Sequence, residues 1–234
     1  MNKWEELDNW VTLPNDIALK TAKRRGNGHI EDYQKEEIDI ALRYVESYEC
    51  AVDIGAHVGI ITNALSKKFK TVYSFELDPE IYSCCYENIV NRQQLKNVHL
   101  YNCGIGSERE KVDVTRHDKT FGTHVTPNKS GNINVKPLDS FNIPGKVGFI
   151  KIDVEGYETK VIQGALRLIE RDRPVILYER KGHQKRYGYK DPDLPLTFLR
   201  DLGYTKYQDI GDARKNAVMG PKRNKRKHEV YRRY

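Results

Sequence analysis

No run of about 18 apolar residues occurs in the 234-residue chain, so the sequence offers no membrane span. The first residues, Met1 to Glu6, lack the basic-then-apolar layout of a secretory signal. Cysteine is scarce: Cys50, Cys84, Cys85 and Cys103 form no CxxC pair and no His/Cys cluster with zinc spacing. A disulfide framework and a structural zinc site are thereby excluded, and the four thiols are expected to be reduced and mostly buried. Internal repeats and low-complexity linkers are lacking as well. Together these absences predict a water-soluble, cytoplasmic protein. Its length suffices for one α/β domain but not for two ordinary ones.

Most of the chain also lacks an excess of charge of either sign. The net charge is +7, yet residues 213–234 hold nine Lys or Arg against the single acid Glu229. That local +8 leaves the other 212 residues at −1. The basicity therefore belongs to a tail (Lys222, Arg223, Lys225, Arg226, Lys227, Arg232, Arg233). Such a block is ordinarily a solvated extension. Its other use is as an arm for a polyanion, such as nucleic acid or an acidic glycan, with Tyr231 and Tyr234 available to stack on bases.

What is present is alternation. Residues 1–35 read as an irregular lead-in with a short hairpin. Ile38, Ala41, Leu42 and Val45 fall at helical spacing and predict a helix over 33–48. Apolar strands and helices then alternate: strands at 50–54, 71–75, 97–101, 147–152, 174–178 and 204–210, helices at 59–68, 79–92, 158–171 and 196–202. Short polar strands punctuate 104–146. This order predicts a Rossmann-like α/β fold, a mostly parallel twisted sheet with helices on both faces. The expected domain is 36–219, followed by the basic tail 220–234. In such a sheet the ligand crevice opens at the carboxyl ends of the strands.

The first strand ends in Val52-Asp53-Ile54-Gly55-Ala56-His57-Val58-Gly59. Glycines permit a tight turn and close backbone approach, and the helix starting near Gly59 offers its positive dipole end to a carboxylate. The spacing D-x-G-x-x-x-G is not the dinucleotide fingerprint. Asp53 would repel a pyrophosphate but suits the sulfonium and amino group of S-adenosylmethionine. Glu76, 23 residues further on, ends the next strand beside Leu77, where an acid accepts hydrogen bonds from ribose hydroxyls. The turn Tyr101-Asn102-Cys103-Gly104 falls where the base would lie. On the fourth strand, apolar except for Lys151, Asp153 and Glu155 stand at the carboxyl end before a helix. Glu158 is expected to be a plain N-terminal helix charge.

These segments resemble the FkbM family of methyltransferases. The resemblance is carried by Lys151-Ile152-Asp153-Val154-Glu155-Gly156-Tyr157-Glu158, Gly164-Ala165, Val52-Asp53-Ile54-Gly55-Ala56, Phe75-Glu76, Leu177-Tyr178-Glu179 and Val135-Lys136-Pro137-Leu138-Asp139. It covers about residues 36–219. It implies a class I methyltransferase fold, S-adenosylmethionine as donor, and O-methylation of varied hydroxyls, notably of polyketides and sugars. His57 stands where the family usually has Asn, and the tail after Pro221 is not a family feature.

The expected donor contacts are Asp53, Gly55, Ala56, His57, Gly59, Glu76, Leu77, Cys103, Gly104 and Asp153. Glu155 is the first candidate for base or acceptor positioning, Asp153 serves mainly the donor's amino group, and Glu179 is the second candidate base. His183, in a loop that could cover the crevice, is taken as solvated. Asp139, Asp153, Glu155 and Glu179 are an oxygen set that suits magnesium or calcium; strand-end carboxylates are common without metal, and none is expected. The expected acceptor is a hydroxyl of a sugar, glycan or small molecule. The alternatives are a nucleic-acid methyltransferase guided by the tail, and a nucleoside-binding module without catalysis.

Overall fold

The computed structural model describes residues 3–116, 123–128, 130–180, 183–191, 193–211 and 215–222. In chain order, a hairpin of β1 (Glu5–Leu7) and β2 (Trp10–Thr12) precedes α1 (Ala18–Arg25) and α2 (Lys35–Leu42). There follow β3 (Cys50–Ile54), α3 (Ile60–Ser66), β4 (Thr71–Glu76), α4 (Pro79–Tyr86), a π-helical turn (Glu87–Arg92) and β5 (Val98–Asn102). An excursion comprises β6 (Gly104–Ile105), β7 (Glu110–Arg116), β8 (Thr123–Pro127) and β9 (Ile133–Lys136). The chain returns through β10 (Val147–Ile152), α5 (Glu158–Gln163), α6 (Leu166–Asp172), β11 (Val175–Glu179), α7 (Leu194–Asp201), β12 (Tyr204–Ile210) and β13 (Asn216–Pro221).

The central sheet has seven strands in the order β12-β13-β11-β10-β3-β4-β5. Strands β11, β10, β3, β4 and β5 are mutually parallel, whereas β13 runs antiparallel to both neighbours. The excursion forms a separate four-stranded sheet, β6-β9-β7-β8. Side chains alternate across each central strand. Val52, Ile54, Ile150, Ile152, Ile176 and Tyr178 face one core, with Val161 and Ile162 of α5 and Leu196 and Leu199 of α7. Ala51, Phe149, Val175 and Leu177 face the other, with Ile38, Ala41 and Leu42 of α2 and Ile61 and Leu65 of α3. Burial on both faces is why these strands read as continuous apolar runs.

Several boundaries differ from the sequence-based expectation. The helix over 33–48 is shorter, ending at Leu42. The helix over 158–171 breaks at Gly164-Ala165, because Gly164 packs backbone to backbone: a Cβ there would sit 1.8 Å from the Gly106 carbonyl oxygen. The lead-in contains the expected hairpin and an unexpected helix, α1. Strand β13 has no counterpart in the expected pattern and runs past position 219, the expected end of the domain. The tail residues 223–234 lie outside the described residues. Among the described residues, no helix is long and apolar enough to cross a membrane.

Candidate active site

A cavity of about 1020 Å³ opens at the carboxyl ends of the parallel strands. One wall is built from the strand-end turns: Ile54 to Val58, Phe75 to Leu77, Cys103 to Ile105, Lys151, Asp153 to Glu155, and Glu179. The other comes from the N-terminal segment, between Ile17 and Arg43.

The turn after β3 is dictated by Gly55. Its φ is +84°, and a Cβ would lie 1.9 Å from the Asp153 carbonyl oxygen, so the β3 and β10 ends touch through bare backbone. The Gly55 and Ala56 amides both donate to the Phe75 carbonyl at 3.0 Å. His57 follows with a left-handed φ of +51°, and its amide donates to Glu76 Oε2 at 2.8 Å. The other Glu76 oxygen accepts from the Asp78 amide at 2.9 Å. Glu76 is 7% exposed and lines the cavity; burial raises its pKa, opposed by His57 and the two amides.

Leu77 of the second turn and Cys103 and Gly104 of the third line the cavity. Asn102 pins the third turn by donating to the Glu76 and Leu77 carbonyls at 2.9 and 3.1 Å. The Cys103 thiol donates to the Gly104 and Asn134 carbonyls, and burial keeps it protonated by raising its pKa. A Cβ on Gly104 would meet Leu77 Cδ1 at 2.6 Å.

Two expected donor contacts are not part of the wall. Asp53 is 0% exposed and absent from the lining; its carboxylate accepts from Thr62 Oγ1 at 2.7 Å and lies 3.5 Å from Lys151 Nζ. Gly59 faces away as well, since its Cβ would meet Ile89 and Cys85 rather than ligand. Both support the turn from behind. The reason is geometric: Asp53 points into the sheet face covered by α3, one pleat before the strand ends.

Lys151 is a site residue that the strand-end motifs do not single out. The parallel register sets it opposite Asp53, and it is 6% exposed. It donates to the Gly55 carbonyl at 3.0 Å and lies 3.6 Å from Asp153. Burial lowers its pKa, but Asp53, Asp153 and Glu179 more than compensate, and it stays cationic. In the sequence it stands out as a lone charge in an apolar strand and as the first residue of the Lys151-to-Glu158 segment.

Asp153, Glu155 and Glu179 come together at the cavity, each with a carboxylate oxygen within 4.8 Å of the others. A hard divalent cation is the metal type such a trio could hold. Asp139 is elsewhere: it caps α6, accepting from the Arg167 and Leu168 amides at 2.9 Å. Glu155 has φ +52°, strained for a non-glycine residue, and His183 Nδ1 lies 2.7 Å from its Oε2. His183 is thus tied to Glu155 while remaining partly exposed. Gly156 permits this, because the His183 backbone packs where its Cβ would be. Lys181 and Gly182 of that loop lie outside the described residues. Glu158 is not a plain surface charge: it is 3% exposed, accepts from the Gly156 amide, and burial raises its pKa to about 7. Tyr157 also lines the cavity, hydrogen-bonded to Glu110 and, at 2.8 Å, to Lys160.

Three consecutive strand-end turns thus share one cavity. They are a bare-backbone loop at Gly55, the buried acid Glu76, and a small-residue turn at Cys103 and Gly104. Residues 53–206 match the family model of the methyltransferase FkbM domain. An FkbM methyltransferase structure from Methylobacillus flagellatus KT is 19% identical, with 87% of this chain and 58% of that one covered, at a TM-score of 0.49. A protein assigned as a methyltransferase from Streptococcus mutans, solved in complex with SAH, is 14% identical over 80% of this chain and 96% of that one, at a TM-score of 0.50. At such identities the likeness is one of fold. Among curated proteins, the ribosomal RNA small subunit methyltransferase A assigned in Methanosphaera stadtmanae is 25% identical over 113 residues, 48% of this chain and 40% of the relative. The chain therefore spans less than two thirds of the length of both the curated relative and the M. flagellatus structure.

Proposed function

The chain belongs to the FkbM family of methyltransferases, with S-adenosylmethionine as cofactor, and on that premise we propose that it methylates a hydroxyl oxygen of a sugar, glycan or other small molecule. When bound, the cofactor supplies an activated methyl group on its sulfonium. The protein must orient an acceptor oxygen and take its proton. Orientation can account for about 7–11 kcal/mol of the barrier, and a positioned base for about 10²–10⁴-fold.

The observation that carries this proposal is the contact of His183 with Glu155, a residue that lines the cavity. A carboxylate holding one ring nitrogen orients the imidazole and leaves the other nitrogen as a base toward the acceptor. Glu155 and His183 are assigned to proton removal, Glu179 to acceptor positioning, and Asp153 to the donor's ammonium. Glu76 is assigned to the ribose hydroxyls, and Gly55, Ala56, His57, Leu77, Cys103 and Gly104 to shape and backbone contacts. Asp53 acts through Lys151 and the turn rather than on the donor directly.

The test is transfer of a labelled methyl group to a panel of sugars, phenols and hydroxy acids. Glu155→Gln is expected to lower kcat by about 10²-fold or more with donor affinity nearly unchanged. Wild-type turnover on none of the hydroxyls, but on RNA, would move the acceptor to nucleic acid. That second proposal has its own support in the basic tail and in the relative named for ribosomal RNA. It requires steep salt dependence of RNA binding, lost on removal of residues 222–234.

A further inference from the structure

The loop after β11 brings His183 to Glu155, and no ladder of the central sheet sets its course. Arg180, just after β11, pairs with Asp193 at 2.5 Å and with Asp209 at 3.2 Å, which ties the two ends of the loop together. Its middle is held by two other contacts. The His183 backbone packs on Gly156, whose φ is +108° and where a Cβ would lie 2.6 Å from the His183 carbonyl carbon. Tyr187 ends the short 3-10 turn that His183 begins, and sets its ring edge-on to Tyr157, with centroids 4.9 Å apart and planes at 84°. The Tyr187 hydroxyl accepts from the Val125 amide of β8 at 3.3 Å. The Gly188 and Tyr189 amides close the turn by donating to the Lys185 and Gln184 carbonyls at 3.2 Å. Holding Tyr187 therefore holds His183.

Tyr157 is a rigid support for that ring. It is 3% exposed and packs with Val112 and Val135 of the excursion sheet. Its hydroxyl donates to Glu110 of β7 and accepts from Lys160 at 2.8 Å, and the Lys160 ammonium lies 4.7 Å from the ring centroid. In the chain Tyr157 follows Glu155 and Gly156, two consecutive residues of positive φ, and its amide donates to the Val154 carbonyl at 3.2 Å. One side chain thus backs both the strained turn that presents Glu155 and the ring that places His183. The remaining contacts are less directional. Packing on Gly156 limits how closely the turn approaches, not how it is rotated. Gln184 is 1% exposed, but its side-chain amide makes no hydrogen bond, so it fills space without aiming the turn.

We propose that Tyr187 is a positioning residue for methyl transfer: its ring on Tyr157, aided by its hydroxyl on β8, sets His183 against Glu155. The proposal rests on the assignment of proton removal to that pair. An ionised carboxylate only accepts hydrogen bonds, so the contact requires the proton on His183 Nδ1 and leaves Nε2 as the base. The ring tautomer therefore reports the contact with no acceptor present. Nitrogen NMR spectra of the histidine rings are compared at mildly alkaline pH, where imidazole is ordinarily neutral, for the wild type, Tyr187→Phe and Tyr187→Leu; His183→Gln identifies the signals. The Nδ1–H form is expected to dominate in the wild type and to persist in Tyr187→Phe, which keeps the ring. In Tyr187→Leu it should give way to the tautomer mixture of a free side chain. Affinity for S-adenosylhomocysteine should change by less than about twofold in each variant. On a hydroxyl that the wild type methylates, Tyr187→Leu should lower kcat by about 10- to 100-fold. An unchanged tautomer in Tyr187→Leu overturns the proposal, and so does its loss together with S-adenosylhomocysteine binding, which would reduce Tyr187 to general support of the fold. A wild type without the Nδ1–H form, or a His183→Gln variant with unaltered kcat, would instead overturn the assignment of proton removal to Glu155 and His183.

Discussion

The two walls of the cavity are held in different ways. The strand-end wall is positioned by ladders of the central sheet. Lys151 stands beside Asp53 because the β10–β3 register pairs them, and Gly55 touches Asp153 backbone to backbone. The N-terminal wall is docked from outside: Trp10, Val11, Leu19 and Ile30 pack on Val58, Ile60, Ile81 and Cys84, with Asn88 as the main polar fastening. Backbone ladders hold groups to within a few tenths of an ångström, as proton and methyl transfer require. A docked segment can be altered without disturbing that geometry, which suits it to the part of the site that lies outside the matched family domain.

The contrast can be broken most severely on the strand side. Lys151→Met leaves Asp53 as a buried charge facing only Thr62, and is expected to cost about 3–5 kcal/mol in unfolding free energy. The double variant Lys151→Met/Asp53→Asn should recover a large part; denaturant titrations giving equal losses for single and double variants would refute the pairing.

Glu158 offers a pH-dependent test at the turn between strand end and helix. Its carboxyl titrates near 7 in the folded chain against 4.5 ordinarily, chiefly through burial. Between those values the unfolded chain releases its proton while the folded one keeps it. Stability therefore falls as pH rises across that window, by about 3 kcal/mol in total, and levels off above it. In Glu158→Gln this contribution to the slope should vanish, giving a variant more stable than the wild type at pH 8 and similar to it at pH 4. An unchanged slope in the variant would show that another group carries it.

The smallest effect is expected at the seam. Asn88→Ala leaves the Val11 amide and two carbonyls without their partner and should cost about 2 kcal/mol. The signature is local: amide exchange should quicken in β2 and α1 and stay slow in β3 and β10. Uniform quickening would mean that the two walls unfold as one unit.

Much of the strand-end wall is legible in the sequence. Buried parallel strands read as apolar runs, and the acids and glycines that end them mark the crevice, which is what singles out Glu76, Asp153, Glu155 and Glu179. The same pattern points Asp53 at the donor, whereas the pleat turns it into the sheet. Strand β13 escapes such a reading because Asn216–Pro221 is a short apolar stretch among charges, and its place between β11 and β12 depends on pairing at long range. The expected single helix over 158–171 breaks at a glycine whose constraint comes from the Gly106 carbonyl, far away in sequence.

The sequence by itself determined the fold class, the order of the ligand-facing turns and the family, because these depend on local periodicity and on residue types at strand ends. Only the tertiary structure decided which acids line the cavity and which are sealed, that Lys151 joins Asp53 to Asp153, that His183 rests on Glu155, and that the segment holding Arg25 and Tyr33 forms the opposite wall. Those outcomes are set by cross-strand register and by the docking of a remote segment, and neither leaves a periodic trace in the chain.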